Sequence, residues 1–290
     1  MDVRGPLCVG LDPHPELLAA WGLPVDVTGL QRFCAIVVEA LGERVAVLKP
    51  QSAFFERFGS AGIAVLEWTL TAIRESGAVG LLDVKRGDVG STMAAYASAY
   101  LDPASPLAAD AITVSPYLGF GSLQPVLDLA AAHDRGIFVL ALTSNPEGAH
   151  VQHARTAAGP SIAQAILDEV AARNAGAAPM GSLGVVVGAT VGETGHAFGG
   201  LNGPILAPGL GAQGGTPEDL RRLFGSALPD VLASTSREVL GHGPRVQSLR
   251  EEADRLNDQL HEQVAALPVQ PSLARFGTSS QSAGPCPPIS

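Results

Sequence analysis

Residues 79–101 read VGLLDVKRGDVGSTMAAYASAYL. The stretch begins with a short apolar run, Val79–Val84, passes through a cluster of charged side chains, and continues as a helical pattern from about residue 91. A short apolar run followed by a helix is typical of a β–α unit whose strand is parallel to its neighbours and covered on both faces. The stretch therefore predicts one unit of an α/β fold.

The same unit recurs along the whole chain. Eight short runs rich in Val, Ile and Leu are candidate strands, namely Pro6–Leu11, Val45–Lys49, Val79–Val84, Ala111–Ser115, Ile137–Leu142, Leu183–Gly188, Pro204–Ala207 and Asp230–Ser234. Helical patterns lie between and after them, at about 26–42, 60–76, 91–101, 121–134, 160–174, 216–225 and 244–266. Eight such units over about 250 residues predict a single (β/α)8 TIM barrel. The rival fold, a doubly wound open sheet, usually has a glycine fingerprint after its first strand, where this chain reads GLDPHPEL.

The composition changes near the C-terminus. Residues 1–266 contain the predicted barrel, which we expect to be the catalytic domain. Residues 267–290 are rich in proline, serine and glycine and show no apolar periodicity, which predicts a disordered tail.

Charge and hydropathy exclude several classes of function. The net charge is −10, only 5% of the residues are aromatic, and no basic stripe is present, so we expect no nucleic-acid partner. Every apolar run is shorter than the roughly 18 residues of a membrane span, so we expect no membrane partner either. The start of the chain shows no secretory signal, and Cys8, Cys34 and Cys286 are widely spaced, which favours a cytoplasmic location.

Metal-binding patterns are weak in this sequence. The seven histidines form one close pair, His150 and His153, in a polar stretch without nearby acidic or thiol ligands. We therefore predict no metal site and no cofactor.

Polar and ionisable side chains follow nearly every candidate strand, at the end where barrel enzymes carry their chemistry. The densest cluster is 83–88, DVKRGD, in which Asp83 and Lys85 project to the same side of a strand. Lys49 and Asp88 are placed to complete an alternating Lys-Asp-Lys-Asp array, in which each group is kept ionised by its neighbours. The alternative interpretation is an ion-pair network that only closes the end of the barrel. Thr92 lies four residues after Asp88, on the same face of the next helix.

A second signal follows the seventh candidate strand, where residues 208–217 read PGLGAQGGTP. Closely spaced glycines before a helix leave backbone N–H groups free to face an anion, and Arg237 after the eighth strand can add a bidentate contact. The alternative is a flexible surface turn. Together with the charged cluster, this loop predicts a small phosphorylated substrate handled by lysine and aspartate without a metal.

Several segments carry a family resemblance. They are LCVGLDPHPELL, VLKPQSAFFERFG, LLDVKRGDVGST, LTSNPEG, PGLGAQGGTPEDL and SREVL, and together they resemble orotidine 5′-phosphate decarboxylase of the type 2 subfamily found in actinobacteria. The resemblance covers about residues 5–240. Members usually have an amphipathic helix before the first strand, whereas only Met1–Arg4 precede it here, so we expect either a mis-assigned start or a barrel bottom that is capped differently.

The resemblance implies an activity and a role for each matching residue. The activity is the cofactor-independent conversion of orotidine 5′-monophosphate to UMP in pyrimidine biosynthesis, with Lys85 protonating C6 of the pyrimidine. The implied catalytic residues are Lys49, Asp83, Lys85 and Asp88, and the implied substrate-binding residues are Asp12, Thr92, Ser144, Pro208, Gly209, Gly211, Gln213, Gly214 and Arg237. It also implies a homodimer in which Asp88 and Thr92 complete the partner's site.

Three alternatives remain at this point. A sugar-phosphate decarboxylase or aldolase of the same superfamily shares the D-x-K-x-x-D block, but tends to have an acidic residue in place of Lys49 and to use magnesium. A Schiff-base lyase needs a neutral amine, which the aspartates flanking Lys85 disfavour. A nucleotide-binding scaffold without activity is disfavoured by the intact charged cluster.

Overall fold

The computed structural model describes residues 3–192 and 195–267. Within these ranges eight parallel strands form a closed barrel in the order of the chain, with the first strand paired to the last. The strands are β1 Leu7–Leu11, β2 Val47–Pro50, β3 Val79–Arg86, β4 Ala111–Val114, β5 Gly136–Leu142, β6 Leu183–Val187, β7 Ile205–Pro208 and β8 Val231–Thr235. Each overlaps one predicted run, so the predicted TIM barrel is confirmed. The predicted disordered tail, 267–290, lies outside the described residues except for Leu267.

Helices of two kinds connect the strands. In the described part of the chain they are α1 Pro15–Ala20, α2 Val27–Leu41, α3 Ser52–Glu56, α4 Gly59–Glu75, α5 Gly90–Leu101, α6 Gln124–Ala132, α7 Ala149–Gln152, α8 Ile162–Asn174, α9 Pro217–Phe224, α10 Arg237–Leu240 and α11 Val246–Ala265, with short 3-10 helices at Phe120–Leu123, Pro146–Gly148 and Gly225–Asp230. The seven longer α-helices match the predicted patterns. The four short ones, α1, α3, α7 and α10, were not predicted, because four to six residues are too few to show a helical period. Of the helices described, none is long and apolar enough to cross a membrane.

The interior of the barrel is filled by one apolar side chain from each strand. These eight buried residues are Cys8, Val47, Leu81, Ala111, Phe138, Val186, Leu206 and Leu232. A second and larger apolar cluster packs the helices against the outside of the barrel. The barrel is therefore a packed core closed to solvent through its middle, which leaves its carboxyl end as the place for a site.

The pairing of β3 with β4 is irregular close to that end. Leu82 pairs with Ile112 and Arg86 pairs with Val114, so Asp83, Val84 and Lys85 all stand opposite the single residue Thr113. Lys85 has a positive φ of 46°, which side chains other than glycine seldom adopt. A bulge of this kind redirects side chains at the rim of a barrel.

The opposite end of the barrel is fastened by the last helix. Asn257 of α11 accepts a hydrogen bond from the backbone N–H of Leu7 at 3.2 Å and donates to the carbonyl of Arg4 at 3.2 Å. The Arg4 guanidinium donates in turn to the carbonyl of Gly42, at 2.7 Å. The start of β1 is thus held by α11 and by the turn after α2.

Candidate active site

A cavity of about 270 Å³ opens at the carboxyl end of the barrel. Residues at the carboxyl ends of all eight strands line it. They include most of the residues predicted from the sequence. The predicted residues that line it are Asp12, Lys49, Asp83, Lys85, Ser144, Pro208, Gly209, Gln213 and Arg237.

Asp83 lies between two ammonium groups on one wall of the cavity. Its Oδ2 is 3.2 Å from Nζ of Lys49, and its Oδ1 is 2.6 Å from Nζ of Lys85. Lys49 and Asp83 are buried, whereas 44% of the Lys85 side chain is exposed. Lys49 and Lys85 are also the only two lysines in the sequence, in which every other permanent cation is an arginine. Both lysines of the chain, whose ammonium groups are compact point charges, therefore line this cavity.

The charges in the cavity stabilise one another. Burial alone would raise the pKa of Asp83, but the charges of Lys49 and Lys85, with hydrogen bonds from Lys85 and Thr113, lower that pKa to about 2. Burial alone would lower the pKa of Lys49, but the charges of Asp83 and Asp12 outweigh it and raise that pKa above its ordinary value. The wall therefore holds an ionised Asp83 carboxylate beside a charged Lys49.

Two polar residues that were not predicted support Asp83 from either side. Thr113 of β4 donates from Oγ1 to Oδ1 of Asp83 at 2.7 Å. The Gln51 amide, with its NH2 group turned towards Asp83, donates to the Asp83 carbonyl at 2.8 Å and to Oδ2 at 3.2 Å. The signal for Thr113 was a single hydroxyl inside the apolar run AITVS, and the signal for Gln51 was a polar residue two positions after Lys49.

Two buried polar atoms on the β1–β8 side have no hydrogen-bond partner within the described residues. They are Oδ1 of Asp12 and Oγ of Ser236, and both residues line the cavity. Buried acceptors and hydroxyls without a protein partner are costly unless another molecule pairs with them. This side of the cavity is therefore suited to hydrogen-bond a ligand that carries hydroxyl groups.

The glycine loop after β7 corrects one prediction. The N–H groups of Gly209, Gly211 and Gly214 donate to the backbone carbonyls of Ser234, Gly215 and Gly211, at 3.2, 2.8 and 2.6 Å. Expecting these glycine amides to be free for an anion was therefore wrong. All three have positive φ, and the tight turns that this permits use their donors within the loop.

The free donors of that loop are its non-glycine amides. In the described structure the backbone N–H groups of Ala212 and Gln213 have no acceptor, and both residues line the cavity. The start of α9 is occupied by its own side chains, since Thr216 and Asp219 form a reciprocal capping box. Gly211 and Gly214 do not line the cavity, and at Gly211 a Cβ would lie 2.7 Å from the side chain of Glu238. The two glycines shape the loop, and an anion in the cavity would meet Ala212, Gln213 and Arg237.

Comparison with known proteins assigns the chain to a family. Residues 5–251 match the model of the orotidine 5′-phosphate decarboxylase / HUMPS family. The chain belongs to this family. Orotidine 5′-phosphate decarboxylase from Salinispora arenicola is 67% identical over 253 residues, which cover 87% of this chain and 91% of that protein. The enzyme of the same name from Streptomyces coelicolor is 59% identical over 266 residues, covering 92% and 96% of the two chains.

Solved structures agree with this assignment. A crystal structure from Streptomyces avermitilis, which is provisionally assigned the same activity, superposes with a TM-score of 0.90 at 58% identity, covering 92% of this chain and 93% of that one. The family resemblance noted in the sequence is thus confirmed. The family description joins two groups of enzymes, and the relatives' names select the first, so the chain is a carboxy-lyase that decarboxylates orotidine 5′-monophosphate in pyrimidine biosynthesis.

Two residues predicted for the active site of the decarboxylase lie away from the cavity of their own chain. Neither Asp88 nor Thr92 lines the cavity, and Thr92 is exposed on α5. Oδ1 of Asp88 accepts a hydrogen bond from the N–H of Val89 at 2.8 Å, and no ion pair involves Asp88 in the described part of the decarboxylase. A single chain therefore forms a Lys-Asp-Lys row without the fourth member.

Potential metal ligands are scattered over the described part of the decarboxylase. Across residues 3–192 and 195–267 no group of three or more His, Cys, Asp or Glu side chains is arranged to hold a metal ion. His153 lies beside His196, with ring centroids 6.0 Å apart.

Proposed function

We propose that Lys85 is the proton donor in the decarboxylation of orotidine 5′-monophosphate. The single observation that carries the proposal is the position of its ammonium group, which lines the cavity and is fixed 2.6 Å from a buried carboxylate. An ammonium group held in this way is charged, oriented and open to a ligand on its other side.

The proposed step is balanced without a further reactant. The bond between C6 of the pyrimidine and its carboxylate carbon breaks, and CO2 leaves while the electron pair remains on C6. A proton passes from Nζ of Lys85 to C6, which gives UMP and leaves a neutral amine. Lys85 then regains a proton from solvent, so the sum is loss of CO2 and uptake of one proton.

Asp83 and Lys49 would set the field in which this occurs. Asp83 places a negative charge next to the position of the substrate carboxylate, and the repulsion is relieved when CO2 departs. Lys49 keeps Asp83 ionised from the buried side, at 3.2 Å, and is near enough to the cavity to hydrogen-bond the ribose. The fixed charges need no rearrangement as charge develops at C6.

The remaining lining residues would bind the rest of the nucleotide. The unpartnered Oδ1 of Asp12 suits a ribose hydroxyl, and the exposed hydroxyl of Ser144 suits the amide edge of the pyrimidine. The phosphate would lie against Gln213, Arg237 and the Pro208–Gly209 corner, with Gly211 and Gly214 holding the loop in shape. Because the phosphate is remote from the bond that breaks, its binding energy is available to order the loop around the substrate.

We further propose a homodimer in which Asp88 and Thr92 act in the partner's site. Both residues lie away from their own cavity, and a second hollow of about 910 Å³ leaves Lys85 accessible from another side. That hollow is lined largely by apolar side chains, among them Tyr117, Phe120, Val151 and Ile166. Val89 and Tyr117, which follow β3 and β4, are 56% and 79% exposed, as is typical of a surface that a partner covers.

The proposal includes two simpler elements. The reaction runs without a metal or organic cofactor, since the charges it needs are supplied by side chains. The enzyme works in the cytoplasm, where the buried Cys8 and Cys34 would remain free thiols, as they are in the structure.

A spectrophotometric assay with orotidine 5′-monophosphate tests the proton donor. Lys85→Ala should abolish turnover while UMP still binds in a calorimetric titration, since a proton donor acts in the transition state. Turnover close to that of the unmodified enzyme would refute the role of Lys85. Trapping of a substrate adduct by borohydride would instead favour a Schiff-base lyase, and activity lost to EDTA and restored by magnesium would favour a metal-dependent reaction.

A further inference from the structure

Thr113 occupies an unusual position beside the charged wall. It is the one residue of β4 that stands opposite three residues of β3, Asp83, Val84 and Lys85. It is 1% exposed and is the only polar residue in a strand that otherwise reads Ala, Ile and Val. A buried hydroxyl in such a strand needs hydrogen-bond partners, and both of its partners belong to the bulge.

The two hydrogen bonds of Thr113 have fixed directions. Its hydroxyl proton goes to Oδ1 of Asp83 at 2.7 Å, because an ionised carboxylate only accepts. Its Oγ1 accepts from the backbone N–H of Lys85 at 2.9 Å, because an amide only donates. One hydroxyl therefore joins the carboxylate to the backbone of the residue whose ammonium group lies 2.6 Å from that same carboxylate.

We propose that Thr113 is a positioning residue for decarboxylation, which sets the place of the Lys85 ammonium group relative to Asp83. This rests on the proposed role of Lys85 as proton donor. Thr113 acts at two points: it holds Lys85 in its positive-φ conformation through the backbone, and it fixes the rotation of the Asp83 carboxylate that orients Nζ.

The reason for a hydroxyl at this position is geometric. The bulge turns the N–H of Lys85 towards a side chain of β4, and a hydroxyl is small enough to accept it while donating to Asp83. Valine has nearly the same shape as threonine but pairs with neither group. Without the pairing, the Lys85 side chain is free to leave the line between Asp83 and C6, and small displacements of a reacting group cost large factors in rate.

The test compares four variants by steady-state kinetics and UMP titration. Thr113→Val should lower kcat by about 10- to 100-fold, with KM and the Kd of UMP changed by less than about threefold. Thr113→Ser keeps the hydroxyl and should restore kcat to within about fivefold of the unmodified enzyme. Thr69→Val is the matched control, because it removes an equally buried hydroxyl that donates to the carbonyl of Val65 in α4, contacts Cys34 and does not line the cavity. Its kcat should be unchanged. Lys85→Ala is the fourth variant and tests the proton donor itself.

Rates are expressed per UMP-binding site, so a variant that folds only in part is not mistaken for one with a misplaced lysine. If Thr113→Val does not fold, Thr113→Ala provides a second hydroxyl-free variant with less bulk. A kcat within about twofold of the unmodified enzyme in the hydroxyl-free variant, with Lys85→Ala inactive, would overturn the positioning role and leave the proposed function intact. Failure of the serine variant to restore kcat would also overturn it. An active Lys85→Ala variant would refute the proposed function itself, whatever Thr113→Val does.

Discussion

The ammonium group of Lys49 lies 3.2 Å from Oδ2 of Asp83, and only 6% and 8% of the two side chains are exposed. Water screens such a pair very little, but both groups have lost most of their hydration. A buried ion pair of this kind adds little net stability, whereas removing one partner leaves the other charge buried with less compensation. The pair is therefore better explained by the reaction than by the fold.

Removing one member of this pair should destabilise the protein more than removing both. Lys49→Met is expected to lower the free energy of unfolding by about 1–3 kcal/mol, because Asp83 loses one buried partner but stays paired with Lys85, and Lys49→Met combined with Asp83→Asn by clearly less. Urea unfolding measures both values. The matched control is Arg44→Met, which breaks the surface pair with Asp254, whose side chains are about half exposed, and should cost less than about 1 kcal/mol. Equal losses for the buried and the surface variant would contradict the prediction.

Acid should weaken the fold through Asp83. Its folded-state pKa of about 2 lies below the ordinary 3.8, so its contribution is complete above pH 4 and is lost as the pH falls towards 2. This contribution amounts to about 2 kcal/mol. Urea unfolding at a series of pH values below 4 should show that the free energy of unfolding falls less with pH in Asp83→Asn than in the unmodified protein. If the free energy of unfolding falls equally in both proteins, other carboxylates dominate acid unfolding.

Arg237→Ala should mainly weaken binding. A lost hydrogen bond to a charged phosphate corresponds to a rise of about 10- to 100-fold in the Kd of UMP, with kcat at saturation changed less. Calorimetric titration gives the Kd, and the spectrophotometric assay gives kcat. Arg222→Ala is the control, because Arg222 pairs with Asp219 on α9 and does not line the cavity. An unchanged Kd in Arg237→Ala would remove Arg237 from the phosphate site.

Mixing two inactive variants tests the shared site. If each site takes Lys85 from one chain and Asp88 from its partner, a heterodimer of Lys85→Ala and Asp88→Ala has one intact site and one doubly altered site. Random pairing then restores about a quarter of full activity. Co-expression followed by assay measures the recovery, and mass spectrometry verifies the heterodimers. No recovery in verified heterodimers would refute the shared site and leave the decarboxylase assignment unaffected.

The presence of only two lysines allows a direct chemical test of accessibility. A small amine-reactive reagent should modify Lys85, which is 44% exposed, and spare the buried Lys49 in the folded enzyme. Inactivation should follow the modification of Lys85, and UMP should slow both. Peptide mass spectrometry locates the label, and unfolding in urea should make both lysines reactive. Early labelling of Lys49 in the folded enzyme would show that the charged wall is open to solvent.

Much of the architecture was predictable because it depends on local patterns. Each strand is a short apolar run bounded by polar residues, so the eight runs predicted the barrel, and the polar residues after them predicted where Asp83 and Lys85 would lie. The short helices α3 and α10 escaped prediction, since their boundaries depend on how the loops pack and not on a repeated pattern.

The finer features of the site depend on contacts between distant segments. Nothing in the run AITVS shows that Thr113 stands opposite three residues of β3, because the register of two strands is decided by their packing. Likewise, the glycines of 208–217 suggested free amides, whereas the folded loop uses the amides of Gly209, Gly211 and Gly214 internally. That this loop has free backbone donors was predictable from residue types, but the identity of those donors was not.

The fastening of β1 by Asn257 has a consequence for how the chain is made. β1 leaves the ribosome before the other seven strands, yet it pairs with β8, and the backbone N–H of Leu7 bonds to a side chain 250 positions further along. The nascent polypeptide therefore carries a strand with an unpaired edge through almost the whole of its synthesis. A ribosome that stalls before Val231 releases an open sheet prone to aggregation, and not a smaller barrel.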